Sequence, residues 1–223
     1  MNKVTLSPET VNVLKNFSLI NSSIVFRKGN TLRTISNAEN ILAKYNGGES
    51  FPSDFAIYDL SQFLSGLLLF DNPQLEFTSN DFVTVRSGSQ SVKYYFSDPE
   101  ITLKSAPEKN VNFPGADMEF SLSATDIVAL QKASAIYGLP DLTFYSAEGS
   151  DTVKLILRDK ENDTSNTYDM TVEGCCTGTY TLDLKIENIR IVSGDYKVKV
   201  SKHLISEWTH LNCDLVYYIA LEP

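Results

Sequence analysis

The same plan of elements runs twice along this chain, once on each side of a proline-bearing stretch. That repetition restricts the folds open to it more than any single motif does. Each copy opens on a capped helix, passes through a hairpin and a further strand or loop, and meets a strand that runs into Asp-Leu. A short helix and final strands close it. In the first copy Ser7-Pro8-Glu9 supplies a capping hydroxyl, a proline at the first helical position and an acid in the first turn. Val11, Val13, Leu14 and Phe17 then form an apolar side. Residues 24–26 and 32–35, around Lys28-Gly29-Asn30, read as a hairpin, and 37–53 is polar and undecided. Phe55 and Ile57 alternate as a strand. Asp59 stands where it would cap a helix through Phe63, Leu64, Leu67 and Leu68, which Asp71-Asn72-Pro73 ends. Strands at 75–77, 82–85 and 92–96 complete the copy.

The second copy starts at Ser123-Ala124-Thr125-Asp126, which resembles a capping box, with Ile127, Leu130 and Tyr137 marking a helix face and Gly138-Leu139-Pro140 stopping it. A hairpin at 142–145 and 153–157 and a strand at 168–172 follow. Tyr180 and Leu182 run into Asp183-Leu184, an echo of Ile57-Tyr58-Asp59-Leu60. A short helix through Ile186 and Ile189 then precedes strands at 196–200 and 215–221. Between the copies, 97–115 carries Pro99, Pro107 and Pro114 and reads as extended linker. The pattern predicts an α+β chain of two similar domains, each with two helices laid on antiparallel sheet: 1–104, a connector at 105–117, and 118–223.

Composition agrees with two folded domains. The 223 residues suit two units of ordinary size, and 42% hydrophobic content with 12 Phe and 11 Tyr is enough for real cores, which excludes a disordered chain. The N-terminus lacks a basic start followed by an apolar stretch, and no run approaches the ~20 apolar residues that span a bilayer, so a soluble, cytosolic protein with no membrane partner is expected. Cys175, Cys176 and Cys213 are odd in number and form no CxxC pair, which fits a reducing compartment. The 28 acidic and 19 basic residues leave a formal charge of −9, so the chain as a whole repels nucleic acid. Any contact with DNA requires segregated charge.

Catalytic signatures are missing from the sequence: there is no GxxxxGK[ST] loop, GxGxxG turn, HExxH or GxSxG elbow, so neither enzyme activity nor a cofactor is expected. His203, His210 and Cys213 lack an evident fourth metal ligand and read as ordinary loop or strand residues. Cys175-Cys176, between Gly174 and Gly178, reads as part of a turn, and Asp59 and Asp183 as matching helix caps. The cations are more informative. Lys15, Lys132, Lys185 and Arg190 fall on predicted helices, whereas strands and turns hold most of the acids. Asn12, Lys15, Asn16 and Lys132 lie away from the apolar sides. A single such lysine is a solvated face; recurrence in both copies points to a basic surface.

Three segments, Leu14-Lys15-Asn16-Phe17-Ser18-Leu19-Ile20-Asn21-Ser22, Phe55-Ala56-Ile57-Tyr58-Asp59-Leu60-Ser61-Gln62-Phe63-Leu64 and Val216-Tyr217-Tyr218-Ile219-Ala220-Leu221-Glu222, resemble the sliding clamps, the DNA polymerase processivity factors, of large tailed phages. The likeness runs from about Leu6 to the C-terminus. It implies a DNA-clamp fold in which three chains of two domains form a closed ring, a homotrimer, with helices lining the hole. Lys15, Lys132, Lys185 and Arg190, with Lys3, would then meet the phosphates of duplex DNA without reading sequence. The resemblance further implies that a C-terminal peptide of the DNA polymerase docks in an apolar pocket walled by Val111, Phe113, Pro114, Ile219 and Leu221. Ring closure would pair edge strands carrying Val92, Tyr94 and Phe96 in the first domain and Tyr168, Met170 and Val172 in the second. A separate ATP-dependent clamp loader would open and close the ring, in the cytoplasm of an infected host cell. Clamps of this kind can also couple replication to late transcription, so late transcription factors join the expected partners. Apart from the resemblance, two other classes stay open: a two-domain protein-interaction module that encircles no DNA, and an enzyme with an unfamiliar site built from Asp59, Asp183 or the His203/His210 segment.

Overall fold

A computed structural model describes residues 2–98 and 104–223; Met1 and 99–103, which include Pro99 of the expected linker, lie outside the described residues. The chain divides into two compact units, Met1–Lys109 and Asn110–Pro223.

The first unit begins with β1 (Asn2–Val4) and α1 (Pro8–Ile20). Ser7 caps α1 by accepting the Thr10 N–H, as the local sequence predicts. The buried stripe is Thr10, Val13, Leu14, Phe17 and Ile20, one face at helical spacing, and Val11 is only half-buried. Next come β2 (Ile24–Phe26), β3 (Gly29–Ile35), β4 (Ile41–Phe51), β5 (Phe55–Ile57), α2 (Leu60–Leu67), β6 (Gln74–Phe77), β7 (Phe82–Ser87) and β8 (Gln90–Tyr95). Asp59 caps α2 by accepting the Gln62 N–H at 2.8 Å.

All pairing in this unit is antiparallel, with one sheet ordered β1-β6-β7-β8. The expected hairpin of 24–26 with 32–35 does not form. Instead β2 pairs with β5 and β3 with β4. The Asp54 carboxylate explains the exchange: it accepts the Lys28 N–H at 2.7 Å and the Arg27 guanidinium at 2.9 Å, tying the end of β2 to the start of β5. Phe26 then stacks on Phe55 at 4.4 Å, while Gly29, at φ 115°, turns the chain away in a conformation that suits glycine. The undecided stretch 37–53 is mostly β4, whose Ile41, Ala43 and Tyr45 are buried at alternate positions.

The second unit contains β9 (Met118–Leu122), α3 (Ala124–Tyr137), β10 (Asp141–Ser146), β11 (Thr152–Arg158), β12 (Tyr168–Cys176), β13 (Tyr180–Lys185), β14 (Tyr196–Ser201), β15 (Ile205–His210) and β16 (Leu215–Ala220). Its strands follow the order β13-β10-β11-β12-β9-β14-β15-β16, all antiparallel. Ser123 and Asp126 form a true capping box, and Gly138, left-handed at φ 67°, ends α3. The helix buries Ile127, Leu130 and Ala133; Tyr137, its last residue, is exposed rather than on the apolar face.

The predicted second helix of this unit is a single 3-10 turn, Ile186–Asn188. Ile186, Ile189, Ile191 and Val192 crowd a helix with β-branched side chains, and no side chain caps its start. Asp183, expected as that cap, lies inside β13 and accepts hydrogen bonds from Thr143 and Arg158. Cys175 and Cys176 end a strand rather than forming a turn.

Candidate nucleic-acid interface and open strand edges

Among the described residues the helix cations are exposed and unheld by acids, whereas most strand cations are paired. Turning Val13, Leu14 and Phe17 inward leaves Lys15 exposed on α1, and Lys132 is likewise exposed on α3. Among the described residues neither makes a salt bridge. Cations on the strands are mostly held by acids: Lys154 by Asp169, Lys197 by Glu119 and Lys199 by Glu207, all within 3.0 Å. Two of the predicted DNA-facing residues belong to that second group. Lys3 lies on β1 with its ammonium 2.8 Å from Glu76. Lys185 ends β13, not a helix, and sits 2.6 Å from the fully buried Asp141, whose hydrogen bond raises the lysine's pKa. Arg190 follows the 3-10 turn, exposed, with its Nε–H donated to the Glu187 carbonyl at 3.1 Å.

Of the strand edges left open among the described residues, two carry the residues expected at a chain-to-chain joint, β8 in the first unit and 168–172 of β12 in the second. Among the described residues β8 pairs with β7 on one side and ends its sheet. Phe96 donates its N–H to the Asp81 carbonyl at 2.8 Å, and Phe82 lies opposite Tyr95. In an antiparallel ladder this phase turns the backbone groups of 92, 94 and 96 toward β7 and those of Ser91, Lys93 and Tyr95 toward the open side. Tyr94 packs against Phe63 of α2 at 5.1 Å, so Val92 and Tyr94 share the helix-facing side. Phe96 lies just past the strand and packs at 4.9 Å on Phe55.

β12 is paired along its length on one side only in part. It runs beside β11 from Tyr168 to Glu173 and beside β9 only from Gly174 to Cys176. Among the described residues, 168–172 therefore has a strand on the β11 side alone. Gly174 donates its N–H to the Asp151 carbonyl at 2.9 Å, which turns the backbone groups of Tyr168, Met170 and Val172 toward β11 and those of Asp169, Thr171 and Glu173 outward. Tyr168, Met170 and Val172 lie opposite the wholly buried Leu157, Leu155 and Val153, on the side where α3 packs. Both edges thus have the same construction: inward-bonded residues point to the helix side, outward-bonded residues to the other.

The predicted pocket walls fare differently. Val111 and Phe113 are half-buried and Pro114 is exposed. Ile219 is 0% exposed and Leu221 6%, so both are spent in the core of the second unit, where β16 buries alternate residues Leu215, Tyr217 and Ile219. A cavity of about 170 Å³ lies instead in the first unit, lined by Val25, Arg27, Thr31, Arg33, Ser105 and Glu108 among others. Arg33 holds the chain over it by donating to the Pro107 and Lys109 carbonyls at 3.1 and 3.0 Å, and Arg27 pairs with Glu108 at 3.0 Å. Alternation places 25 and 27, and 31 and 33, on common strand faces, but nothing in their residue types marks a pocket.

The remaining candidates disperse. His210 lies in β15, its ring 5.0 Å from Tyr196, while His203 is exposed in a turn. The Cys176 thiol donates to the Ala147 and Ser150 carbonyls. Among the described residues no group of three or more His, Cys, Asp or Glu is placed to hold a metal, and no described helix is long and apolar enough to cross a membrane.

Known proteins resemble this chain along its whole length. The DNA polymerase processivity factor family matches residues 7–100. The sliding clamp of Vibrio phage KVP40 is 35% identical over 97% of this chain and 98% of its own length, and that of Enterobacteria phage T4 is 26% identical over 86% and 85%. Among solved structures, the PCNA of A. fulgidus with the C-terminal region of FEN-1 bound superposes with a TM-score of 0.72 over 100% of this chain and 99% of that one, at 14% identity.

Proposed function

The chain belongs to the sliding-clamp family of DNA polymerase processivity factors, and from that premise we propose how its own residues perform the task. It is a DNA sliding clamp with the DNA-clamp fold, acting in DNA replication with DNA and polymerase as partners. The observation that carries the finer reading is the matched construction of the β8 and β12 edges.

Three copies close head to tail, β8 of each against the open stretch of β12 in the next, with 105–117 as the connector between the domains of each chain. Antiparallel pairing relates the two edges by a two-fold axis normal to the sheet, which keeps α2 and α3 on the same side of the joined sheet; parallel pairing would put them on opposite sides. The helices then line one surface. Val92 and Tyr94 continue the apolar face of Tyr168, Met170 and Val172, so an exposed edge becomes a specific contact.

Lys15, Lys132 and Arg190 supply cations for phosphate, while Lys3 and Lys185 contribute less because acids already hold them. Their contacts are weak and sequence-independent, which suits a ring retained by topology: a tight grip would oppose sliding. The acidic remainder of a chain with net charge −9 faces away from DNA. No catalytic step is assigned to the chain, and the energy for opening comes from a separate ATP-dependent loader. The cavity under 105–108 is the docking place for an apolar anchor of the polymerase's C-terminal peptide; the solved PCNA with a bound FEN-1 C-terminal region supports peptide capture as the mode. Late transcription factors are further partners of the same surface, inside the infected host cell.

Sedimentation across a wide concentration range tests the ring. A species of three times the 24.8 kDa chain mass is expected, followed by loader-dependent retention on circular DNA and escape from linear DNA through its ends. A strict monomer at every concentration overturns the reading and leaves a two-domain interaction module.

A further inference from the structure

We infer that the chains join in one register only, and that Lys93 of each copy seats between Asp169 and Glu173 of the next as a charge lock on the outer face of the ring. This rests on the head-to-tail pairing proposed above and goes beyond it by fixing which residues meet.

The bonding phase of the two edges selects the register, and side-chain facing is consistent with it. Backbone hydrogen bonding across the joint can use only the outward-bonded residues, Ser91, Lys93 and Tyr95 on β8 and Asp169, Thr171 and Glu173 on β12. Side-chain facing agrees: with outward-bonded residues opposed, Val92 and Tyr94 meet Tyr168, Met170 and Val172 on the helix side, whereas a slip of one residue would oppose outward-bonded to inward-bonded residues and lose the ladder. Bonding phase and facing thus share one parity. Within it, only one alignment engages all three outward-bonded residues of each edge, giving about six backbone hydrogen bonds: Ser91 opposite Glu173, Lys93 opposite Thr171 and Tyr95 opposite Asp169. A shift of two residues either way breaks one of the three pairs. The same alignment puts Val92 opposite Val172 and Tyr94 opposite Met170.

Charge follows from that alignment. Lys93 projects on the face away from the helices, its ammonium 4.6 Å from the Phe82 ring centre, and has no salt bridge among the described residues. Opposite Thr171, it lies diagonal to both Asp169 and Glu173, a separation that a lysine side chain spans. Asp169 already binds Lys154 at 2.8 Å, whereas Glu173 has no salt-bridge partner among the described residues. The cation therefore completes an alternation of Lys154, Asp169, Lys93 and Glu173 across the joint. The chemistry recognised is a second copy of this chain.

Two measurements on the full-length protein test this. Val92 and Val172 form a non-hydrogen-bonded pair, where Cβ atoms approach closely enough for a disulfide. Oxidised Val92→Cys/Val172→Cys should trap covalent trimers, and Val92→Cys alone should not. Trapping instead by Val92→Cys/Met170→Cys, the register shifted by two, overturns the alignment. Lys93→Glu should raise the concentration for half-assembly by roughly tenfold or more, since it sets like charges side by side at every joint. Adding Glu173→Lys should recover most of that deficit. A trimer indifferent to Lys93→Glu overturns the charge lock while leaving the ring intact; a wild-type chain that never assembles overturns the ring itself.

Discussion

The wholly buried carboxylate of Asp141 holds the ammonium of Lys185 at 2.6 Å, and its other oxygen accepts the Lys160 N–H at 2.9 Å. This pair separates structural cations from DNA-facing ones.

Removing Lys185 strands a buried charge. Lys185→Met should lower unfolding free energy by about 2 kcal/mol in urea denaturation, less than for a fully buried pair because the lysine is partly exposed. Lys15→Ala and Lys132→Ala, on open helix faces, should change stability by no more than about 0.5 kcal/mol. They should instead weaken DNA retention and flatten its salt dependence by a slope of ~0.9 for each phosphate that is no longer neutralised. A destabilisation at Lys15 equal to that at Lys185 would contradict this division.

Asp183 should govern part of the acid limit. Burial pushes its carboxyl up, but the Thr143 hydroxyl, the Arg158 guanidinium and the Lys160 charge outweigh burial and hold it below its ordinary value of 3.8. The unfolded chain therefore takes up this proton first as pH falls. The stabilisation is whole above about pH 4 and is lost as pH drops through the folded value. Asp183→Asn should be less stable at pH 7 and show a shallower fall in stability below pH 4, measured by thermal unfolding across pH.

Tyr45 should act at the other extreme. Its hydroxyl is pushed up to about 12 by burial and by donating to Glu9, at 2.6 Å. Its contribution is whole below about pH 10 and fades as pH rises toward the folded value. Tyr45→Phe should cost about 1 kcal/mol at neutral pH and remove that part of the alkaline decline. The effect should be confined to the contact between β4 and the start of α1, where Glu49 also accepts the Ser7 N–H and the Thr10 hydroxyl.

Gly174 marks the place where β12 leaves β11 for β9. A Cβ there would lie 2.7 Å from the Glu119 carbonyl oxygen and 2.9 Å from the Phe120 Cβ, and backbone cannot yield as a side-chain tip can. Gly174→Ala should cost about 1–3 kcal/mol. Gly66→Ala, inside α2 with open space around it, should stabilise by about 0.5–1 kcal/mol. Denaturant midpoints of the two variants should therefore move in opposite directions.

Much of the fold was legible in the sequence because its signals are local. Ser7-Pro8 and Ser123 with Asp126 announce helix starts through hydrogen bonds within one turn, and Gly138 announces an end through its own φ. Period-two apolar runs located β11, β13 and β16 for a similar reason. The exchange of strand partners at β2 was not legible, because Asp54 and Phe55 act on it from across the unit. Neither was the 3-10 turn: Ile186 and Ile189 have the spacing of a helix face, and spacing does not report a missing cap or crowding.

Among the site residues, sequence alone determined which cations exist and that Lys15 and Lys132 lie away from apolar helix sides, since helical period depends only on position along the chain. Tertiary structure alone decided that Lys3 and Lys185 are paired with Glu76 and Asp141, that Ile219 is core, and that, among the described residues, β8 and 168–172 of β12 have a strand on one side alone. The physical reason is common to all of these. Ion pairing, burial and strand edges are relations between residues distant in sequence, and a charge or an apolar row acquires its role only when the fold chooses what stands opposite it.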